Sequence, residues 1–375
     1  MPGAVGSRMR PQLGPELRER LYASAQRAAT AGEPDREVLS ALRASGLLAT
    51  AVPRDHGGAG GDAADVNRVV AEIAAANPSV AIIAFQHFAV SARIAEWGSA
   101  EQKARLLPGL ADGSVLAASS WSENGAGAAK QNLSSTGVRR PEGGWVLSGA
   151  KTFTTGAAVA DLYLVLVRTG ADGSGGEAAY GAAGQTFFLV GAHNPGLVPD
   201  LGLDLAGMRG SATGLVTLDG CVVADADRLG PEGYAASIIA GVRESGASLG
   251  AVSVGIAEAA FDLAVSHARG RGLLALPTVR HRLVGLATRL EAARATVERA
   301  GARTAPDPGL ATLHSKLHAT AAAEEICLDV ARMLGSAGYG AGGGADRLLA
   351  DARGVGLMGP TNDLCRELVA LSWTD

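Results

Sequence analysis

Two short polar turns have the residue types needed to hold a ligand. The first turn, Ser-Glu-Asn-Gly-Ala-Gly at residues 122–127, directly follows Trp121 and a run of small residues. Glycine lets the backbone come close to a bound group, so this turn predicts a ligand-cradling loop. The second turn, Phe-Thr-Thr-Gly at residues 153–156, places hydroxyl groups just before the apolar segment 162–167. Both turns adjoin predicted strands, and we expect them to flank one small sheet.

A metal site is the main alternative use of polar side chains in this chain. His314 and His318 share one helical face at the spacing of metal ligands. No third ligand lies nearby in the sequence, and the HExxH pattern is absent. We therefore predict a solvated or packed face there and no metal site.

Composition excludes several classes of function. The formal net charge of the 375 residues is −4 and no basic cluster is present, so nothing indicates nucleic-acid binding. No apolar run reaches the eighteen or so residues of a membrane helix, and residues 1–20 do not resemble a signal peptide. Three cysteines without CxxC spacing predict buried thiols in a reducing compartment. We expect a cytoplasmic protein.

Hydrophobic periodicity divides the chain into three parts and predicts an α+β multidomain fold. We expect an N-terminal helical domain at residues 1–113, a central small β-sheet or barrel domain at 114–230, and a C-terminal four-helix bundle at 231–375. Predicted helices cover residues 15–31, 36–45, 63–75, 79–97, 100–111, 235–270, 278–303, 308–334 and 345–372, the last with a break at Gly359-Pro360. Predicted strands cover 145–147, 162–167, 186–190, 215–218 and 221–223, with a turn at 148–149 and a surface loop at 169–184.

The two turns resemble segments of the acyl-CoA dehydrogenase family. Residues 122–127 stand where that family has Thr-Glu-Pro-Gly-Ala-Gly, and residues 148–155, Ser-Gly-Ala-Lys-Thr-Phe-Thr-Thr, stand where it has Asn-Gly-x-Lys-x-Trp/Phe-Ile-Thr. Further matches are Gly-Ser-Ala-Glu-Gln-Lys at 98–103 and Gly-Met-Arg-Gly-Ser at 207–211. The resemblance covers nearly the whole chain in the same order. It implies the family's helical, β and helical-bundle architecture, FAD as cofactor, and oxidation of acyl thioesters between the α and β carbons.

The resemblance also implies a set of FAD contacts. Trp121, Ser122, Phe153 and Thr155 would form an apolar wall with hydroxyl and backbone donors for the isoalloxazine ring, although the two aromatic residues could equally be core. The resemblance also assigns Arg271, Gly335 and Gly338 to the FAD of a neighbouring subunit. It assigns Thr361, in the family motif near the end of the chain, to FAD binding as well. Family members associate mainly through the C-terminal bundle, so a homodimer or homotetramer is expected. Arg209 could bind phosphate, but its glycine-bounded turn makes an ion pair at least as reasonable.

The most important departure from the family is at Gly359. The family's Tyr-Glu-Gly-Thr, whose glutamate is the usual catalytic base, corresponds to Met-Gly-Pro-Thr at residues 358–361. Glycine cannot remove an α-proton. Some members have the base on a helix early in the C-terminal domain, and Glu244 is within one residue of that position. An ungapped match places Ser245 there, so a solvated glutamate is an equal alternative; Asp363 and Glu367 are weaker candidates.

We therefore predict an FAD-dependent oxidoreductase that desaturates an acyl thioester. The acyl group could be on coenzyme A or, in specialised biosynthesis, on a carrier protein, because Ala128 and Ala129 replace the family's Ser-Asp near the thioester. The electron acceptor could be a flavoprotein or oxygen. The main alternative is a reduced-flavin, oxygen-dependent monooxygenase on the same fold, which needs no α-proton base. A third reading is a non-catalytic homologue.

Overall fold

The first third of the chain is helical, as predicted. The computed structural model describes residues 11–125, 133–170, 184–340, 342 and 344–374. Each N-terminal helix begins and ends within one residue of its predicted position: α1 (Pro15–Ala31), α2 (Arg36–Ala44), α3 (Ala63–Ala76), α4 (Pro78–Trp97) and α5 (Ala100–Asp112).

Local capping residues set these helix starts and also join the helices to their neighbours. The Asn77 side chain accepts a hydrogen bond from the Val80 amide at the start of α4, and its amide group donates to Ser24 of α1 at 2.9 Å. Ser99 and Gln102 form a capping box at the start of α5. The Gln102 amide also donates to the Arg228 carbonyl at 2.8 Å, so it links α5 to the β region.

The middle of the chain forms one sheet of eight strands among the described residues. Its order is β6-β7-β3-β2-β4-β5-β8, and β1 pairs in parallel with β4. The strands are β1 (Ala117–Ser120), β2 (Thr136–Arg139), β3 (Trp145–Thr154), β4 (Leu162–Arg168), β5 (Gln185–Gly191), β6 (Leu197–Asp200), β7 (Gly214–Val223) and β8 (Arg228–Leu229). The β4 side chains are buried on both faces, as its continuous apolar sequence predicts.

At two glycines, Gly149 and Gly220, a strand continues where the sequence predicts that it ends. The turn predicted at residues 148–149 is instead the interior of β3, and the two strands predicted within 215–223 form the single strand β7. The pairing passes from Leu147–Cys221 to Gly149–Leu218, so β7 has one extra residue there. Gly220 has a φ of 57°, which allows this bulge without breaking the strand. Only the ends of the predicted 169–184 loop are described, where the Thr169 amide donates to the Gly184 carbonyl.

The last third is helical, with one break that the sequence reading missed. Its helices are α6 (Ala235–Glu244), α7 (Gly250–Gly270), α8 (Pro277–Ala302), α9 (Pro308–Met333), α10 (Ala345–Leu357) and α11 (Asn362–Leu371). The predicted single helix at 235–270 is wrong because the chain turns at Gly246, where φ is 86°. A Cβ at that position would lie 2.4 Å from the Ala300 carbonyl oxygen, so the close contact with α8 requires glycine.

The N-terminal helices and the bundle share one hydrophobic core. Helix α7 packs against α3, α8 and α9. The α3 and α7 backbones approach so closely that a Cβ at Gly255 would lie 2.4 Å from the Ala71 carbonyl oxygen. Side chains of α3, α4, α7, α9 and α10 belong to the same buried cluster. A cleft between the N-terminal helices and the bundle is therefore held by rigid elements on both sides.

Two described helices, α4 and α7, are long and apolar enough to cross a membrane by length and composition, contrary to the sequence prediction. However, 78% of the apolar window of α4 and 56% of that of α7 are buried inside the protein. Both helices contribute to the central core. This burial is typical of core helices rather than of helices that face lipid.

Candidate functional site

The structure brings the four predicted wall residues together at the ends of β1 and β3. Trp121 and Ser122 follow β1, whereas Phe153 and Thr155 lie at the end of β3. The Thr152 amide donates a hydrogen bond of 2.8 Å to the Ser122 carbonyl, which fixes the two segments side by side. Phe153 has a φ of 52° and leaves 63% of its surface exposed. An exposed aromatic ring on strained backbone is more typical of a ligand site than of a core.

The wall has unused hydrogen-bonding capacity that suits a flat, polar ring. The Trp121 indole packs on Phe187 with ring centroids 5.0 Å apart. Its Nε1 is buried and has no hydrogen-bond acceptor among the described residues. A buried donor without an acceptor is costly, so a ligand with acceptors would stabilise this region. The wall therefore fits an isoalloxazine ring, which is flat and has carbonyl and ring-nitrogen acceptors.

A buried ion pair holds the two turns together behind this wall. The Lys151 Nζ lies 2.6 Å from the Glu123 carboxylate, and the two side chains are 0% and 1% exposed. The same carboxylate accepts hydrogen bonds from the Ser134 amide and hydroxyl at 2.6 and 2.7 Å and from the Ser135 amide at 3.1 Å. Glu123 thus connects the turn after β1 with the start of β2 and with β3.

The ionised form of this carboxylate is strongly favoured. Burial acts to raise the pKa of Glu123, but the charge of Lys151 and the hydrogen bonds from Lys151, Ser135 and Ser134 outweigh burial and hold the pKa at about 2. Burial lowers the pKa of Lys151 even though Glu123 opposes that change. The sequence motifs contain both residues, yet sequence reasoning gave neither a role, because their pairing is visible only in the fold. Residues 126–132, which include Ala128 and Ala129, lie outside the described residues.

Hydroxyl groups of a neighbouring segment support Thr155. The Thr155 Oγ1 lies 3.1 Å from the Thr213 Oγ1, which lies 2.8 Å from the Ser211 Oγ.

Arg209 forms an ion pair with Asp204 at 2.5 Å, which was one of its two predicted roles. Its Nε also donates to a carbonyl of α1 at 2.8 Å. This arginine therefore joins the β region to the N-terminal helices.

His87 on α4 also positions the wall, and the sequence reading missed it. Its Nδ1 accepts a hydrogen bond from the Ala117 amide at the start of β1, and its Nε2 faces the Leu48 carbonyl, both at 3.3 Å. Burial lowers the pKa of His87 to about 4, so the ring is neutral near pH 7 and Nε2 is the protonated nitrogen. A lone apolar-face histidine gives no sequence signal for this role.

A groove of about 110 Å³ lies between α4, the start of α3 and the turn from α6 to α7. Its α4 side has Phe85, Phe88 and Ala92, and its α6–α7 side has Val242 and Ser245. Because α4 also packs against β1, one helix forms a side of the groove and supports the strand that leads to the wall. The groove is the described cleft best placed to receive an acyl chain.

The segment around Gly359 is fixed by a buried lysine and contains no carboxylate between Met358 and Thr361. The buried Lys316 Nζ donates to the Met358 carbonyl at 2.7 Å and also to the Pro360 carbonyl. Burial lowers the pKa of Lys316 to about 8. The Cys365 thiol donates to the same Pro360 carbonyl at 3.6 Å. Lys316 therefore fixes the backbone at the family's usual base position without supplying a carboxylate.

The structure places Glu244 beside the groove rather than in its lining. It is the last residue of α6 and is exposed. Its side chain lies near Gly309 at the start of α9, since a Cβ built on that glycine would be 3.8 Å from the Glu244 Cγ. No hydrogen bond or ion pair holds its carboxylate within the described part of the chain. Ser245, the residue of the ungapped match, does line the groove. Of the weaker candidates, Asp363 is exposed and paired with Arg366 at 2.6 Å, and Glu367 is exposed.

The remaining predicted FAD contacts lie on other elements of the fold than the four wall residues. Arg271 follows α7 and Gly335–Gly338 follow α9, at the same end of the bundle because α8 runs back between these two helices. Arg271 and Gly335 are exposed and Gly338 is half-buried. Thr361 caps α11, where its Oγ1 accepts a hydrogen bond from the Leu364 amide at 3.2 Å. These residues stay predictions for a cofactor held partly by a second subunit.

Other features of the described residues lie outside this site. No group of three or more His, Cys, Asp or Glu side chains in the described ranges could hold a metal ion. The three cysteines are buried free thiols, as predicted. A second groove, of about 610 Å³, lies beside α2 and includes Arg36 and Arg43 but none of the predicted site residues. Arg43 is occupied by Asp161 and two backbone carbonyls.

Comparisons with known proteins agree with this geometry. Three family models match in order: acyl-CoA dehydrogenase N-terminal domain at residues 14–114, middle domain at 118–221 and C-terminal domain at 235–373. A cyclohexane-1-carbonyl-CoA dehydrogenase of Geobacter metallireducens is 32% identical over 365 residues, which cover 94% of this chain and 93% of that protein. An L-prolyl-[peptidyl-carrier protein] dehydrogenase of Pseudomonas fluorescens is 29% identical over 337 residues, or 87% of each chain. A solved FAD-dependent dehydrogenase is 27% identical, with a TM-score of 0.82 over 98% of this chain and 100% of that one.

Proposed function

The chain belongs to the acyl-CoA dehydrogenase family, and from this premise we propose that it uses FAD to desaturate a compact acyl thioester between the α and β carbons. The observation that supports this proposal most is the position of α4. One face of α4 lines the groove, and His87 on the same helix binds the first residue of β1. A thioester in the groove and a flavin on the wall are therefore positioned by the same helix.

The reaction removes a proton from Cα and a hydride from Cβ. FAD, when bound, supplies the acceptor for the hydride. Trp121 and Phe153 would hold the flavin ring, while Ser122 and Thr155 would donate or accept hydrogen bonds at its edge. The buried Glu123–Lys151 pair keeps the two turns that bear these residues in one place. Apolar side chains on the α4 side of the groove, among them Phe85 and Phe88, would exclude water from the acyl chain and so favour transfer to the flavin over side reactions.

We propose Glu244 as the base that accepts the α-proton. It is adjacent in sequence to Ser245, which lines the groove, and its carboxylate is exposed. Glu244→Gln keeps the shape of the side chain and removes its basicity. It should slow anaerobic flavin reduction on the order of 10²–10⁴-fold and leave FAD bound. Glu367→Gln removes another exposed carboxylate, on α11, and should react like the wild type if Glu244 is the base.

The carrier, electron acceptor and quaternary structure are further parts of the proposal. The similarity to an L-prolyl-[peptidyl-carrier protein] dehydrogenase supports an acyl group on a carrier protein, and the similarity to a cyclohexane-1-carbonyl-CoA dehydrogenase supports coenzyme A. On either carrier the acyl group is a thioester. The acceptor that reoxidises the flavin is proposed to be a flavoprotein or oxygen. The exposed ends of α7 and α9 support a homo-oligomer in which Arg271 serves a neighbouring subunit's FAD.

One observation favours a second candidate function. Gly359 supplies no carboxylate, and the segment 358–360 is fixed by Lys316. A flavin monooxygenase on this fold would need no α-proton base. Reduced flavin and oxygen would then yield a hydroxylated product, whereas the dehydrogenase yields a product two hydrogens lighter than its substrate. Mass analysis of the product distinguishes the two functions.

A further inference from the structure

The acyl groove has a cationic side chain that the oxidation itself does not need. Arg93 on α4 lines the groove, and its side chain is only 6% exposed. Among the described residues its charged partner is Glu96, whose carboxylate lies 2.8 Å from Arg93 Nη1 and whose side chain is 48% exposed. The angle of this contact is poor, so the buried Nη1 has no hydrogen-bond acceptor.

The guanidinium of Arg93 has one buried nitrogen, Nη1, that lacks a hydrogen-bond acceptor. A guanidinium has five N–H donors, and it remains charged inside a protein. Burial lowers the pKa of Arg93, because desolvation outweighs the charge of Glu96. A buried cation with unused donors is costly unless an acceptor approaches it. The α6 backbone packs closely against this guanidinium at Gly241, where a Cβ would lie 3.0 Å from Arg93 Nη1.

The shape of the groove limits what can bind there. Phe85 and Arg93 lie two turns apart on α4, or about 12 Å along the helix axis. Between them, Phe88, Ala89 and Ala92 make the α4 side apolar. With a volume of about 110 Å³ the groove is small and suits a short acyl chain.

Resting on the proposed function, we propose that the groove selects short acyl thioesters whose chain bears a carboxylate, and that Arg93 binds this carboxylate. The guanidinium of arginine can form a bidentate hydrogen-bonded pair with a carboxylate, and this geometry fixes the orientation of the ligand as well as adding affinity. Glu96 occupies the guanidinium when no substrate is bound. Because Glu96 is half-exposed, it can turn into solvent when the substrate carboxylate arrives. Arg93 is thus a specificity-determining residue and Glu96 is its competitor.

The test compares two coenzyme A thioesters of equal length on the FAD-loaded protein. Glutaryl-CoA ends in a carboxylate and pentanoyl-CoA ends in a methyl group. Dissociation constants are measured by anaerobic calorimetry, and kcat/KM by flavin reduction. The wild type should favour glutaryl-CoA by roughly 10- to 100-fold in both measurements, as expected for a hydrogen-bonded charged pair.

Three variants separate substrate binding from a structural role. Arg93→Met should remove the preference for glutaryl-CoA, and Arg93→Lys should keep part of it because the charge remains. Glu96→Gln should strengthen glutaryl-CoA binding several-fold and leave pentanoyl-CoA unchanged, since it removes the competing carboxylate. A purely structural Arg93–Glu96 pair would instead make Glu96→Gln less stable without any change in substrate preference. That result would overturn the proposal, even if Arg93→Met failed to fold.

The outcomes distinguish this inference from the proposed function. If glutaryl-CoA binds more tightly in an Arg93-dependent way but neither thioester reduces the flavin, the inference holds and the oxidation is wrong for these compounds. If both thioesters are oxidised and bound equally and Arg93→Met changes nothing, the oxidation holds and the inference is wrong.

Discussion

The buried pair Glu123–Lys151 makes the position of the cofactor wall sensitive to a single charge. Lys151→Met keeps a side chain of similar length but removes the charge opposite Glu123. The carboxylate then remains buried with the Ser134 and Ser135 donors and no cation. Removing one partner of a buried ion pair costs about 3–5 kcal/mol. Whole proteins are stable by only about 5–15 kcal/mol, so this loss should be large.

Chemical denaturation followed by circular dichroism measures this loss. The control is Arg366→Met, which breaks the pair of Arg366 with Asp363; their side chains are 63% and 94% exposed. An exposed pair contributes about 0–1 kcal/mol, so the control should unfold nearly like the wild type. The double variant Glu123→Gln with Lys151→Met removes both charges and should recover much of the stability. Lys151→Met should also bind FAD more weakly, because the two turns are no longer held together.

Two outcomes would refute this reasoning. If Lys151→Met is as stable as Arg366→Met, the buried pair does not stabilise the β region. If the double variant is as unstable as the single variant, the loss comes from packing of the lysine chain rather than from an uncompensated charge. Weaker FAD binding without any loss of stability would show that the pair acts on the cofactor site alone.

Two further predictions concern pH and concentration. The pKa of Glu123 is held at about 2 instead of its ordinary 4.5, so its stabilisation is complete above about pH 4.5 and is lost as the pH falls toward 2. The expected loss is up to about 3 kcal/mol, and Glu123→Gln should flatten the dependence of unfolding free energy on pH in that window. If Arg271 and the Gly335–Gly338 turn hold a neighbouring subunit's FAD, dilution to monomer should release flavin; light scattering that shows a monomer retaining FAD would contradict this.

Much of the fold follows from local sequence. Asn77-Pro78 and the Ser99–Gln102 capping box fix helix starts because both ends of each hydrogen bond lie within three residues. The turns that bear the wall residues were also predictable, because they are defined by their own glycine and hydroxyl residues. The break at Gly359-Pro360 was predicted for the same reason.

Other features depend on contacts that sequence periodicity cannot show. Gly246 ends α6 because α8 passes close to it, and the partner Ala300 is far away in the chain. Lys151 and Glu123 are 28 residues apart, and His87 meets the Ala117 amide 30 residues away. The burial of Arg93 is likewise set by tertiary packing, in which Gly241 of α6 lies against its guanidinium.

The central claim, FAD-dependent oxidation of an acyl thioester, is tested most directly by anaerobic reduction of the bound flavin. The FAD-loaded protein is mixed without oxygen with a panel of short acyl thioesters on coenzyme A and on a carrier protein, and flavin absorbance is followed. We expect at least one thioester to bleach the flavin and to leave as a product two hydrogens lighter, and Glu244→Gln to slow that bleaching. If no thioester reduces the flavin, while reduced flavin and oxygen give a hydroxylated product, the dehydrogenase account is wrong.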